Sequence, residues 1–180
     1  MKYDASHIPM LLDDLEAAVS EMKSALGGDA AAWARAAAGR WSAAQHAEHI
    51  ALNLEETAAG FERCAEDLRH GRLGSRPRRW PLQALAVRVF MREPFPRGGK
   101  APRFVQPGPA PARDSVFERL DRGVARYRAL CASLTPELRE RAWIVSPYRR
   151  PWHYRLFEMI RVQTTHARHH TRLAAEAAKG

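Results

Sequence analysis

At 180 residues, with 46% hydrophobic and 27% charged residues, the chain is long enough to bury a full core, and residues 1–180 read as one globular domain. No apolar run reaches the ~20 residues of a membrane span, and two cysteines, Cys64 and Cys131, exclude a disulfide framework. The net charge of +9 comes from scattered arginines, densest at Arg76-Pro77-Arg78-Arg79-Trp80, so nucleic acid, an anionic membrane surface and an acidic small molecule all stay open as partners.

The start, Met1-Lys2-Tyr3-Asp4, has no signal-peptide pattern, which gives the expectation of a cytoplasmic protein with no membrane partner. Over residues 5–26 the positions Ile8, Leu11, Leu12, Leu15, Val19, Met22 and Leu26 repeat at the helical period, and Gly27-Gly28 stops the helix. A short helical piece with Trp33 is expected over residues 30–38. The second long helix opens at Trp41-Ser42. Ser42 is a good N-cap, and Gln45 completes a capping box. Ala43, Ala47, Ile50, Leu54, Phe61, Ala65 and Leu68 then form one stripe that runs to about His70, across Gly60.

Residues 76–112 differ: they hold most of the prolines and form a long connection. Residues 80–91 can make a short apolar helix, and residues 92–112 read as extended loop. A connection this long is usually functional. The third long helix begins at Asp114 or Ser115, with Val116, Leu120, Val124, Tyr127, Leu130 and Leu134 in register. Thr135 caps a short helix with Pro136 at its first position. Residues 146–151 are a loop, and the fourth long helix is expected from Trp152 to the C-terminus. Four long helices with one long central connection make an all-α four-helix bundle.

The last helix carries His166, His169 and His170. His166 and His170 are four apart, so they project from one face one turn apart, a spacing that suits two ligands of one metal. Ile160, Gln163, Ala167, His170 and Ala174 share an inward stripe that His166 adjoins, whereas His169 reads as exposed. On the second helix His46 and His49 compete for an inward role. Asn53 and Glu56 follow His49 by one and two turns and are candidate helpers, Glu56 as a base or an imidazole partner. Glu48 reads as outward-facing. Tyr3, Ser6 and His7 are candidates to cap the site, and His7, His70 and His153 look like surface or helix-end residues, with His153 within reach of a site mouth.

Trp41-Ser42 at a helix start with His49 eight residues after the Trp, and His166-x-x-x-His170 on the last helix, resemble the two motifs of the DinB/YfiT-like family in their order. The resemblance covers nearly the whole chain. It implies an up-down-down-up four-helix bundle and a divalent metal, nickel or zinc, held by His49, His166 and His170. It favours His49 over His46. The family often has Gln three residues after its last His; Leu173 stands there, which leaves a partner of the ligands unaccounted for. The function it implies is a metal-dependent enzyme of thiol-transferase or hydrolase type, acting on a small-molecule substrate with or without a low-molecular-weight thiol. The segment 80–104 would then shape the pocket or act as a lid. The alternative is a non-catalytic metal-binding or stress-response protein acting as a homodimer. Nucleic-acid binding through the basic surface is the third reading.

Overall fold

The computed structural model describes residues 3–36, 39–96 and 100–179. The end of the expected short helix at residues 37–38, Gly98-Gly99 of the connection and the Met1-Lys2 start lie outside the described residues.

The structure is mostly helical. A 3-10 turn, Ala5–His7, leads into α1 (Ile8–Leu26), followed by α2 (Ala30–Ala34), α3 (Ala43–Arg69), α4 (Pro81–Phe90), α5 (Arg113–Ala132), α6 (Pro136–Arg141) and α7 (Leu156–Lys179). Every apolar position of the first expected stripe, Ile8 through Leu26, is buried in α1. The α3 capping box is formed. The Ser42 hydroxyl accepts from the Gln45 amide at 3.2 Å, and the Gln45 side chain accepts from the Ser42 amide at 3.0 Å. Two of the four orphan amides at the helix start are thereby satisfied. Thr135 and Pro136 open α6 as expected.

The four long helices touch in a ring: α1 lies against α7 and α5, and α3 lies against α7 and α5. The seam between α3 and α5 shows how side chains fix this packing. Gly123 on α5 faces Leu54 on α3 so closely that a β-carbon there would lie 2.8 Å from the Leu54 Cβ. Beside it, the Tyr127 hydroxyl donates to Thr57 Oγ1 at 2.7 Å. At the edge, Arg119 holds Glu55 at 2.6 Å and Glu48 at 3.1 Å.

The mostly helical structure agrees with the all-α reading and adds one small antiparallel pair, β1 (Trp143–Val145) with β2 (His153–Arg155), in register Ile144 to Tyr154. The pair holds the chain extended through Arg155, so α7 starts at Leu156 and not at Trp152. His153, read as a surface residue, is 2% exposed. Gln83 of α4 donates to its carbonyl at 2.9 Å and covers it.

The connection is organised as well. Its α4 lies on α7, and Arg79 just ahead of α4 forks onto both oxygens of buried Glu158 in the first turn of α7. A second 3-10 turn, Arg103–Val105, replaces the expected plain loop, and its Val105 is fully buried. The connection thus crosses from α7 back to α3.

Gly123→Ala is expected to lower stability by about 1–3 kcal/mol through overpacking against Leu54, read as the urea midpoint. Gly74→Ala, where a β-carbon meets nothing, is expected to be neutral.

Candidate metal centre

His49 on α3 and His166 and His170 on α7 meet where the connection closes over the helices. One ring nitrogen from each lies within 4.8 Å of the others. The ring centroids are 5.2 Å apart for His49 and His166, 4.7 Å for His49 and His170, and 4.6 Å for His166 and His170. His49 and His170 are buried and His166 is partly buried.

The hydrogen bonds around the rings select tautomers. His49 Nδ1 is 2.7 Å from the Val105 carbonyl. A carbonyl only accepts, so Nδ1 carries the proton and Nε2 keeps its lone pair. Asn53, one turn on, donates to the His49 carbonyl at 2.6 Å and places its amide nitrogen 3.2 Å from His49 Nε2. His170 Nδ1 is 2.9 Å from His46 Nδ1. One of the two must donate, and only donation by His170 leaves its Nε2 free. His46 therefore stands beside the three-histidine group as a partner of His170. Leu173, which has no polar atom to offer a ligand ring, lines the cavity.

Aromatic rings bracket the cluster. Trp41 lies 4.9 Å from the His49 ring, and Phe95 lies 4.8 Å from that of His166. Both belong to a cavity of about 1290 Å³ that the three histidines also line, together with Phe90, Tyr148 and Trp152. This is ample room for a small-molecule ligand beside a metal.

Burial sets the electrostatics. It pushes His166 and His170 well below the ordinary imidazole range, and the neighbouring histidines push the same way. His49 is lowered by burial, with its bond to Val105 opposing. His46 is pushed down to about 4, chiefly by burial and then by His49, His169 and Arg40. Neutral imidazoles with free lone pairs are the form that binds a metal. A set of three nitrogen donors suits zinc or nickel rather than a hard cation such as magnesium. The residues present fit a divalent metal of that class.

Several other candidates fall elsewhere. His169, expected to be exposed, is 7% exposed; it lines the same cavity, 5.7 Å from the Phe95 ring, but stands outside the three-histidine group. Glu56 lines a different, smaller cavity of about 270 Å³ with Cys64 and Trp143. Glu48 is not outward-facing: besides Arg119 it accepts from the Gly108 amide at 2.6 Å. Tyr3, Ser6 and His7 belong to the N-terminal segment, whose 3-10 turn packs on α6 and α7, away from the cavity. His153 is enclosed by Gln83 and Arg76 and also lies off the cavity wall. The contribution of Val105 had no signal in sequence, because a backbone carbonyl 56 residues from His49 supplies it.

A family model of the DinB superfamily matches residues 10–174, which take in all of α3 and α5, most of α1 and α7, and both histidine motifs. The chain belongs to the DinB superfamily. No curated protein and no solved structure gives a match. Membership and the three-histidine cluster together fit a metal-binding DinB protein.

The metal-free DinB protein is expected to weaken on mild acidification. Below about pH 6.5 an unfolded chain protonates its histidines, whereas the folded chain resists at His46, His49, His166 and His170. Stability is then complete above about pH 6.5 and declines as pH falls toward the folded values. Thermal melts with chelator present should show a midpoint several degrees lower at about pH 5 than at pH 7. A flat midpoint over that window would contradict this reading.

Proposed function

We propose that this DinB protein is a cytoplasmic, metal-dependent enzyme acting on a small molecule, of thiol-transferase or hydrolase type. In this reading residues 1–180 form one domain, an up-down-down-up four-helix bundle, and His49, His166 and His170 are the metal ligands. The carrying observation is the three-nitrogen cluster opening onto a cavity far larger than an ion needs. Three protein ligands beside open space is the arrangement of catalytic rather than structural sites.

When bound, nickel or zinc supplies a Lewis acid that favours the deprotonated form of a water or a thiol. The chain's own residues do the rest. Val105 and His46 hold the His49 and His170 rings with Nε2 inward. Trp41 and Phe95 exclude water from two sides of the cluster and offer flat apolar surface to a substrate. Among the described residues the cavity wall carries one carboxylate, exposed Glu176. Glu56, the expected base, lies in the other cavity. With no buried carboxylate among the described residues of the cavity wall, the thiol version is favoured, in which a low-molecular-weight thiol is the nucleophile and the metal, when bound, would favour its thiolate.

The same feature favours one second reading, a non-catalytic metal-binding or stress-response dimer. Nucleic-acid binding draws less support, because Arg119, Arg126, Arg128, Arg161 and Arg168 are engaged with carboxylates and break up the basic surface.

Metal analysis of purified protein reconstituted with nickel or zinc tests the site. Wild type is expected to hold one ion per chain. His49→Ala and His170→Ala are each expected to lose it at least tenfold, and His169→Ala to keep it. Loss in His169→Ala with retention in His170→Ala would overturn the ligand set. Turnover of electrophiles with a panel of biological thiols, abolished by metal stripping, separates the enzyme from the non-catalytic dimer.

A further inference from the structure

The α4 helix is apolar on nearly every side, yet only one side is covered. Gln83 and Val87 are buried on the inner side, where α4 lies on α7. On the other side Leu82 is 67%, Leu85 60% and Val89 43% exposed, and Trp80 at the helix start is 76% exposed. Leu82, Leu85 and Val89 follow the i, i+3, i+7 spacing, so they make one outward stripe. Arginines frame it. Arg78 precedes the helix, Arg88 lies on it and Arg92 follows it. All three are exposed, and among the described residues none has a carboxylate partner. No acidic residue occurs between Asp67 and Glu93.

We propose that the outward face of α4 is a docking surface for an anionic lipid bilayer, on which the protein sits peripherally. Among the described residues no helix is long and apolar enough to cross a membrane, and in this proposal the ten residues of α4 lie along the bilayer surface instead. An apolar stripe with flanking cations and a terminal Trp is the pattern of a helix seated at the headgroup boundary. Leu82, Leu85 and Val89 enter the acyl region, and Arg78, Arg88 and Arg92 meet lipid phosphates and carboxylates.

Charge and size decide against other occupants. A second copy docking face to face would set these arginines against their own counterparts. Four apolar side chains also fall well short of the ~20–30 residues a side of a standard interface. Nucleic acid would take the arginines but offers no apolar medium for three aliphatic side chains. The proposal departs from the expectation of no membrane partner and puts peripheral contact in its place.

The surface also connects to the cavity. Phe90, at the end of α4, lines it and packs 5.3 Å from Phe95, which abuts His166. Docking through α4 brings the cavity wall beside the bilayer. The proposal does not rest on the metal reading.

The test is flotation of the full-length protein with unilamellar vesicles of phosphatidylcholine alone or with about one third phosphatidylserine, at low and near-physiological salt. Wild type is expected to float with the anionic vesicles and to bind neutral ones at least about fivefold less. Leu85→Glu and Arg88→Ala are each expected to weaken anionic binding at least about fivefold, with unchanged circular dichroism. Both sites are exposed, so the fold should tolerate them. Equal binding to neutral and anionic vesicles, no binding at all, or binding that survives Leu85→Glu would overturn the proposal. So would a wild-type dimer that Leu85→Glu turns into a monomer in light scattering, which would assign the face to a second copy. Failure here with metal still bound by wild type leaves the proposed function standing.

Discussion

One buried hydrogen bond links the framework of long helices to the segment that covers the histidine cluster: the donation from His49 Nδ1 to the Val105 carbonyl, at 2.7 Å. It joins α3 to the middle of a connection that runs from α3 to α5. A buried carbonyl without a donor is costly, so the turn at Arg103–Val105 is pinned where His49 can reach it. The same bond decides which His49 nitrogen faces the cavity. A structural constraint and a chemical one therefore share a single proton. The connection does not merely lie over the helices; it sets the tautomer of a cluster residue.

The α7 side depends on an analogous pairing. His46, one turn before His49, meets His170 nitrogen to nitrogen at 2.9 Å. Each cluster histidine with a resolved partner is thus oriented from the opposite helix or from the connection. Burial keeps these imidazoles neutral, so their lone pairs are available without first losing a proton. Close packing and an ion pair support the arrangement. Gly123 lets α5 press on Leu54 of α3, and Arg79 on Glu158 anchors the connection at the start of α7.

Much of this was legible in the sequence. The long helices followed from apolar periodicity, and Ser42 with Gln45 located the start of α3 to within a residue. The resemblance named the three histidines that the fold brings together. What the sequence could not show was long-range cover. His169 and His153 read as surface residues because nothing local reveals that Phe95 will pack by one and Gln83 over the other. The three-residue strands were too short to show a period of two. Glu56 failed for a geometric reason. Seven residues past His49 it returns to nearly the same helix face, but about 10 Å further along the axis, beside β1 and not beside the cluster.

In the proposed site three imidazole nitrogens, and no other protein group, hold the metal with a position left open. X-ray absorption spectroscopy of the nickel- or zinc-loaded protein addresses this directly. Three histidine nitrogens are expected at about 2.0–2.1 Å, with the remaining coordination from light exchangeable ligands that change when a small thiol is added. A fourth protein ligand, or sulfur in the first coordination shell before any thiol is added, would contradict it.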